Sequence, residues 1–270
     1  MRRKALLVVA LAALCAAANA DFVTGFEDYN AAPGGVMLTG QQGWYDPDPN
    51  TTVPYDVYTY TGNAFNFPQN PLGGNNFIAG RAPGGTPVRY NRGQHAHNFG
   101  TGNLWLFSFD QCAQFNGAGA AQDYLGSFSQ QPSATARYTQ TLNIWNDNNN
   151  PTSYRTQYVT QANNVPGIAP GPEWQNLQPN HWYRLTTLID FNSLAIIEVS
   201  IRDLTAGTAP AVVQPTGWQL RNGTGPMPTD IRFFTGGAGG GNTMAWDNLS
   251  IVPEPACLLC LGLLALLRRR

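Results

Sequence analysis

Short runs of aromatic and β-branched residues recur between clusters of Gly, Pro and Asn along this 270-residue chain, and no segment carries the apolar period of an amphipathic helix. That punctuation is the signature of an all-β protein. Candidate strands are Phe22 to Glu27, Asp56 to Tyr60, Asn76 to Arg81, Leu104 to Phe109, Ala136 to Trp145, Tyr154 to Thr160, Trp182 to Asp190, Ala195 to Asp203, Asp230 to Phe234 and Ala245 to Val252. In the run ending at Asp203, Ile197, Val199 and Ile201 are expected on one face and Glu198, Ser200 and Arg202 on the other, as in a strand with one wet side. A two-layer antiparallel β-sandwich follows. Asp190-Phe191-Asn192-Ser193 reads as a hairpin turn, Asp and Asn supplying local side-chain bonds. Breaker-rich stretches at Pro68 to Asn75, Ala82 to Pro87, Asn146 to Pro151 and Asn163 to Pro172 read as loops within one domain.

Both ends carry sorting features. Arg2-Arg3-Lys4, the apolar run Ala5 to Ala17, and Ala18-Asn19-Ala20 have the order of a secretory signal peptide, with cleavage expected before Asp21. At the other end Val252-Pro253-Glu254-Pro255 precedes twelve largely apolar residues, Ala256 to Leu267, and then Arg268-Arg269-Arg270. Twelve residues rise about 18 Å as a helix, short of the roughly 30 Å hydrocarbon core, so the run is a marginal anchor. The arginines would remain cytoplasmic, leaving everything before them outside.

Motif, short hydrophobic helix and basic tail in this order resemble the PEP-CTERM sorting signal of Gram-negative bacteria that make exopolysaccharide. The resemblance implies that a membrane-embedded exosortase processes the chain near Pro253-Glu254-Pro255 and directs it to the cell surface or extracellular matrix. Membrane contact would then be transient and confined to the C-terminal helix. The expected organisation is signal peptide 1–20, β-sandwich ectodomain 21–252 and sorting signal 253–270.

Between Asp21 and Pro253, nine arginines, no lysine and fifteen carboxylates leave a net charge of about −6, against −1 for the whole chain. An acidic domain without a basic run argues against nucleic acid as a partner. Cys112 is the one cysteine of this region, so no intrachain disulfide can staple it. Its core must suffice, and about 230 residues allow a large one.

Phe26-Glu27-Asp28 opens the region and Ala245-Trp246-Asp247-Asn248-Leu249-Ser250-Ile251 closes it. This arrangement resembles jelly-roll domains of the concanavalin A-like lectin and glucanase superfamily and jelly-roll carbohydrate-binding modules. The resemblance implies that the first and last strands lie side by side. In some of those modules a Glu on the first strand and an Asp on the last share a structural calcium, and Glu27 and Asp247 match by position. Two carboxylates with carbonyls and water could supply the six to eight oxygens that calcium takes. Asp46-Pro47-Asp48-Pro49-Asn50 reads as a stiff surface loop. His95 and His97 would share a strand face, but His181 is remote and no third zinc ligand is near.

Glucanases of this type use an E-x-D-x-x-E strand whose alternation brings carboxylates together. The chain lacks that pattern, and it also lacks a G-x-S-x-G elbow, so no catalytic residues are expected. The expected role is a structural or exopolysaccharide-associated surface component. The alternatives are a lectin-like carbohydrate-binding module and, behind it, a glycoside hydrolase. Trp44, Trp145, Trp174 and Trp218, in or beside predicted loops, are candidate platforms for sugar rings, with Asn and Gln for the hydroxyls. Trp105, Trp182 and Trp246 fall in predicted strands and are assigned to the core.

Overall fold

The computed structural model describes residues 22–48, 52–82, 90–99, 104–114, 124–131, 139–147, 150–160, 168–220, 228–236 and 241–253. The signal peptide and the tail from Glu254 onward lie outside them, as does the 136–138 part of one predicted strand. Among the described residues no helix is long and apolar enough to cross a membrane, and the helical content is a single 3-10 turn at Pro172–Trp174.

Two sheets face each other as an antiparallel jelly-roll sandwich. One contains β1 (Phe22–Thr24), β2 (Val36–Met37), β5 (Asp56–Thr59), β6 (Asn76–Arg81), β8 (Leu104–Gln114), β12 (Tyr183–Asp190), β13 (Ala195–Asp203), β14 (Ala211–Val213) and β16 (Thr243–Pro253). Its order is β14-β13-β12-β8-β16-β6-β5-β2, with β1 beside the C-terminal half of β16. The other contains β3 (Trp44–Tyr45), β4 (Thr52–Pro54), β7 (Tyr90–Ala96), β9 (Tyr124–Gln131), β10 (Thr139–Asp147), β11 (Asn150–Tyr158) and β15 (Asp230–Thr235). Its order is β11-β10-β9-β15-β7-β3, and β4 adds to β7 as a parallel pair. First and last strands do lie together, Phe22 opposite Ile251 and Thr24 opposite Leu249.

The core is aromatic. Phe233 of β15 meets Trp246 of β16 at 4.6 Å between ring centroids, and Phe109 of β8 meets Phe128 of β9 at 4.7 Å. The Trp246 indole N–H donates to the Tyr55 hydroxyl at 3.2 Å, so the polar atom of the buried ring is satisfied. A second apolar cluster lies on the far side of the nine-stranded sheet. There Tyr60 stacks on Phe77 at 4.5 Å, and the Trp182 N–H donates to the Pro68 carbonyl at 2.8 Å. Cys112 is buried in this cluster, and burial pushes its thiol pKa up, so it is packing material and not a nucleophile.

The expected alternation in β13 is displaced by one residue. Leu188 pairs with Glu198 but Ile189 pairs with Ile196, so Ile197 is the extra residue of a β-bulge. Ile196 therefore turns inward, while Ile197 is 38% exposed. The hairpin at Asp190 forms as expected: its carboxylate accepts the Asn192 backbone N–H at 2.8 Å and the Ser193 hydroxyl at 2.7 Å. At Asn146 to Pro151 the predicted loop shrinks, because β10 runs to Asp147 and β11 begins at Asn150.

The one described cysteine, Cys112, is free, and the aromatic contacts tie the two layers together. Phe233→Ala or Trp246→Ala should each destabilise the protein by about 3–5 kcal/mol, measured by denaturant unfolding.

Candidate functional site

Period-two alternation makes the seven-stranded sheet two-sided. On β15, Ile231 and Phe233 enter the core, so Asp230, Arg232 and Phe234 point away from it. Register carries the same division to its neighbours. Gln94 of β7 lies between Tyr45 of β3 and Arg232, which in turn faces Ser129 of β9. One step along the strands, Arg92 faces Phe234, Phe234 faces Ser127, and the row continues through Asn143 to Gln157 of β11. Arg155 stands two residues from Gln157 on the same face.

Several of these side chains point away from the core and yet are buried, while Tyr45, Phe234 and Arg155 are half-buried. Gln94 is 0% exposed, Asp230 and Arg232 5%, Arg92 7%, and Ser127 and Ser129 3% each. A hydrogen-bonded chain organises them: the Thr229 hydroxyl and the Tyr45 hydroxyl both donate to Asp230, at 2.6 Å for Thr229. Gln94 Nε2 donates to Tyr45 at 2.8 Å and Arg232 Nε donates to Gln94 Oε1 at 2.6 Å. Burial, with the adjacent Asp230 carboxylate, pushes the Tyr45 phenol well above its ordinary pKa, so it remains a donor at neutral pH. The Arg92 guanidinium sits 5.5 Å over the Phe234 ring. Chemically the face offers amide and hydroxyl groups, one half-buried aromatic ring and fixed guanidiniums.

Of the tryptophan candidates from the sequence, Trp145 pairs with a residue of this face and the others fall elsewhere. Trp44 is 1% exposed and Trp174 0%, so neither offers a ring face to a sugar. Trp44 stacks on Phe233, and Trp174 caps the core from the 3-10 turn. Trp218 packs against the core beside Tyr158 at 5.9 Å and pins its loop. Trp145 belongs to β10, opposite Arg155, and its side chain lies outside the described residues. His95 and His97 share the core side, packed on Phe22 and Phe99 at 4.4 Å each. Burial pushes the His95 pKa down, leaving it neutral. Of the sorting motif, Val252 and Pro253 are described: they end β16, opposite Leu106 and Trp105. Ala18, Ala20, Glu254, Pro255 and Arg268 to Arg270 lie outside the described residues.

Glu27 and Asp247 approach the same loop from two sides. Glu27 is in the turn after β1, where its carboxylate accepts the backbone N–H groups of Asn75 at 2.7 Å and Asn76 at 3.0 Å. Gly74 leaves room for this carboxylate: a Cβ there would stand 2.1 Å from Glu27 Oε1, and the Glu27 side chain would have to move. Asp247, 0% exposed, accepts the Tyr60 hydroxyl at 2.8 Å, Asn70 Nδ2 at 3.1 Å and the Asn248 backbone N–H at 2.7 Å. Its cross-strand neighbour Asp110 is also 0% exposed and takes a two-pronged Arg184 at 2.7 and 2.9 Å. Both proposed calcium ligands are thus surrounded by N–H and O–H donors, whereas calcium requires oxygen acceptors. As placed, the pair does not fit the ion; it clamps the loop. Among the described residues no three His, Cys, Asp or Glu side chains converge on a metal position.

No family model matches the chain, and no curated protein matches it. Among solved structures it is similar to a cellulose-induced protein, Cip1, at 12% identity over 86% of this chain and 97% of that one, with a TM-score of 0.47. It is also similar to a carbohydrate esterase of the Shiga toxin-encoding bacteriophage phi24B, at 12% identity over 69% and 85% with a TM-score of 0.44. Peanut lectin matches at 12% identity over 66% and 87%, with a TM-score of 0.39. Identities this low transfer no residue roles, and the chemistry has to be read from this chain's own side chains.

Burial, reinforced by Asp110, pushes the Asp247 carboxyl up to about 7. A carboxyl raised above its unfolded value holds its proton better when folded, so its contribution is fully present below about pH 4 and is lost as pH rises to about 7. The melting temperature should therefore carry a declining component across that window, and Asp247→Asn should flatten it in a pH series of thermal melts. Millimolar calcium added to the wild-type protein should leave the melting temperature unchanged.

Proposed function

We propose that this chain is an exported surface or extracellular-matrix component that holds exopolysaccharide on the outward face of its seven-stranded sheet without catalysing a reaction on it. The observation that carries this reading is a polar outward sheet face on which Tyr45, Arg155 and Phe234 stay half-exposed beside the buried Gln94 and Arg232. Polar groups are withdrawn from water only at a cost of several kcal/mol unless partnered. A half-exposed phenol, phenyl ring and guanidinium are groups that can meet sugar rings and hydroxyls, and the hydrogen-bonded Gln94 and Arg232 beside them hold Tyr45 in place.

The terminal segments supply the route. Arg2 to Ala20 directs export, and the Val252-Pro253-Glu254-Pro255 tail with Arg268 to Arg270 hands the chain to an exosortase-type enzyme at the inner membrane of a Gram-negative cell. Hydrolysis has less support, since it wants two carboxylates flanking the bond and the chain lacks the E-x-D-x-x-E strand pattern.

Mass spectrometry of the protein from fractionated cells tests the route. An N-terminus at Asp21 and a C-terminus near Pro253-Glu254-Pro255 are expected, and an intact Arg270 in the membrane fraction would end the surface reading. Affinity electrophoresis in gels containing the cells' own exopolysaccharide tests the binding: retarded migration is expected, and unchanged mobility would leave the sheet face without a glycan role.

A further inference from the structure

We infer that an aliphatic stripe on the outward face of the nine-stranded sheet is a seat for the chain's own C-terminal apolar segment, Ala256 to Leu267, before a membrane takes it. The seat is independent of the glycan face, which belongs to the other sheet, and of any enzyme that acts on the tail.

Register builds the stripe. Val252 of β16 lies opposite Leu106 of β8, Leu106 opposite Leu188 of β12, and Leu188 opposite the β13 bulge at Ile197 and Glu198. Their strand neighbours Ile251, Phe107, Ile189 and Ile196 enter the core, so alternation turns this row outward. Val252, Leu106 and Leu188 are half-buried, and Ile197 is 38% exposed. The next row, Ser250, Ser108, Thr186 and Ser200, is uncharged, and an exposed valine pairs with each end of it, Val23 at 60% and Val212 at 55%. The loop that follows Tyr60 packs on the other end of the same face, around Phe77 and Trp182. Aliphatic groups gathered in this way on one surface mark an interaction site.

Continuity selects the occupant. Val252 belongs to the stripe, β16 ends one residue later at Pro253, and only Glu254-Pro255 separate it from Ala256. A tether this short holds the segment over the stripe at an effective concentration on the order of millimolar. Length agrees. The twelve residues rise about 18 Å as a helix, and four strand spacings, roughly 19 Å, lead from β16 through β8, β12 and β13 to β14. Chemistry agrees as well, since Ala256 to Leu267 carries no charge and is mostly leucine. Laid from β16 toward β14, the segment brings Arg268 to the side where Glu198 supplies a carboxylate, held by Gln214 Nε2 at 2.9 Å. A run that is apolar all round covers the stripe with one side and leaves the other open, so the seat is a waiting position from which lipid draws the tail.

The native cysteines supply the test. Cys257 and Cys260 lie in the segment, Cys15 lies in the N-terminal apolar run, and Cys112 is buried. Ile197→Cys puts a thiol on the stripe, three strand spacings or roughly 14 Å from β16, which two extended and five helical residues bring Cys260 across. Met37→Cys, exposed at the opposite edge of the same sheet, is the control. Both are made in the full chain with Cys257→Ala, so that Cys260 does not pair within the segment, and both substituted sites are exposed enough to leave the fold intact. After brief oxidation with copper phenanthroline in dilute, detergent-free buffer, peptide mapping should find an intrachain disulfide from position 197 to Cys260. Its yield should exceed that from position 37 about tenfold, and phosphatidylcholine vesicles should lower it about fivefold. Equal yields at the two positions overturn the seat. A disulfide to Cys15 gives the stripe to the N-terminal run, and one between two molecules gives it to a second copy; either result overturns the assignment of the tail. A yield that vesicles leave unchanged overturns the waiting position. None of these results alters the glycan reading, which retardation by exopolysaccharide decides separately.

Discussion

The contact between Phe233 and Trp246 is the interaction on which the rest of the molecule depends. It joins β15, at the middle of one sheet, to β16, at the middle of the other, and no disulfide among the described residues shares the task. Because a strand alternates, anchoring Phe233 inward fixes Arg232 and Phe234 outward. A core anchor is thus one residue away from a polar position of the candidate site. That is the arrangement a binding floor needs, with side chains held by secondary structure and not by loops.

The apolar strands were legible because their residues advertise them. Asn76–Arg81 and Ala195–Asp203 have the same limits in sequence and structure. β7 and β9 were not legible, and they are the strands that build the site. On β7 the core-facing positions are Asn91, Gly93 and His95, so polar residues occupy both faces and no apolar alternation marks it. A Cβ on Gly93 would meet the Leu38 and Tyr55 side chains at 3.2 Å, and one on Gly126 would stand 2.5 Å from the Phe234 carbonyl oxygen, so neither position takes a larger residue freely. The missed signal was a polar period of two: Arg92-x-Gln94, Ser127-x-Ser129 and Asp230-x-Arg232-x-Phe234. Buried charge was what that spacing meant, and composition alone does not report burial.

Loop position was a poor guide to tryptophan. Trp44 and Trp174 lie among Gly- and Pro-rich segments, but a large ring beside a strand lowers the free energy most by closing the core. The terminal signature located the right residues and suggested a different chemistry for them. Glu27 and Asp247 do meet one loop where the first and last strands join, but they hold it through backbone and side-chain donors, and Arg184 offsets the charge of the neighbouring Asp110.

The placement of β16 also sets an order of events. β1, β6 and β8 all pair with a strand that is made after every other described strand, so the nine-stranded sheet stays open until residues 243–253 are available. Closing Phe22 against Ile251 is among the most non-local pairings a chain of this size can make, and such pairings form slowly. During that interval the edges of β6 and β8 are unsatisfied and prone to pair with other chains. Folding is thereby coupled to delivery of the C-terminal segment. The strand that completes the sandwich ends at Pro253, directly before Glu254-Pro255 in the sequence, so a chain cut short of residue 243 would lose the common partner of β1, β6 and β8.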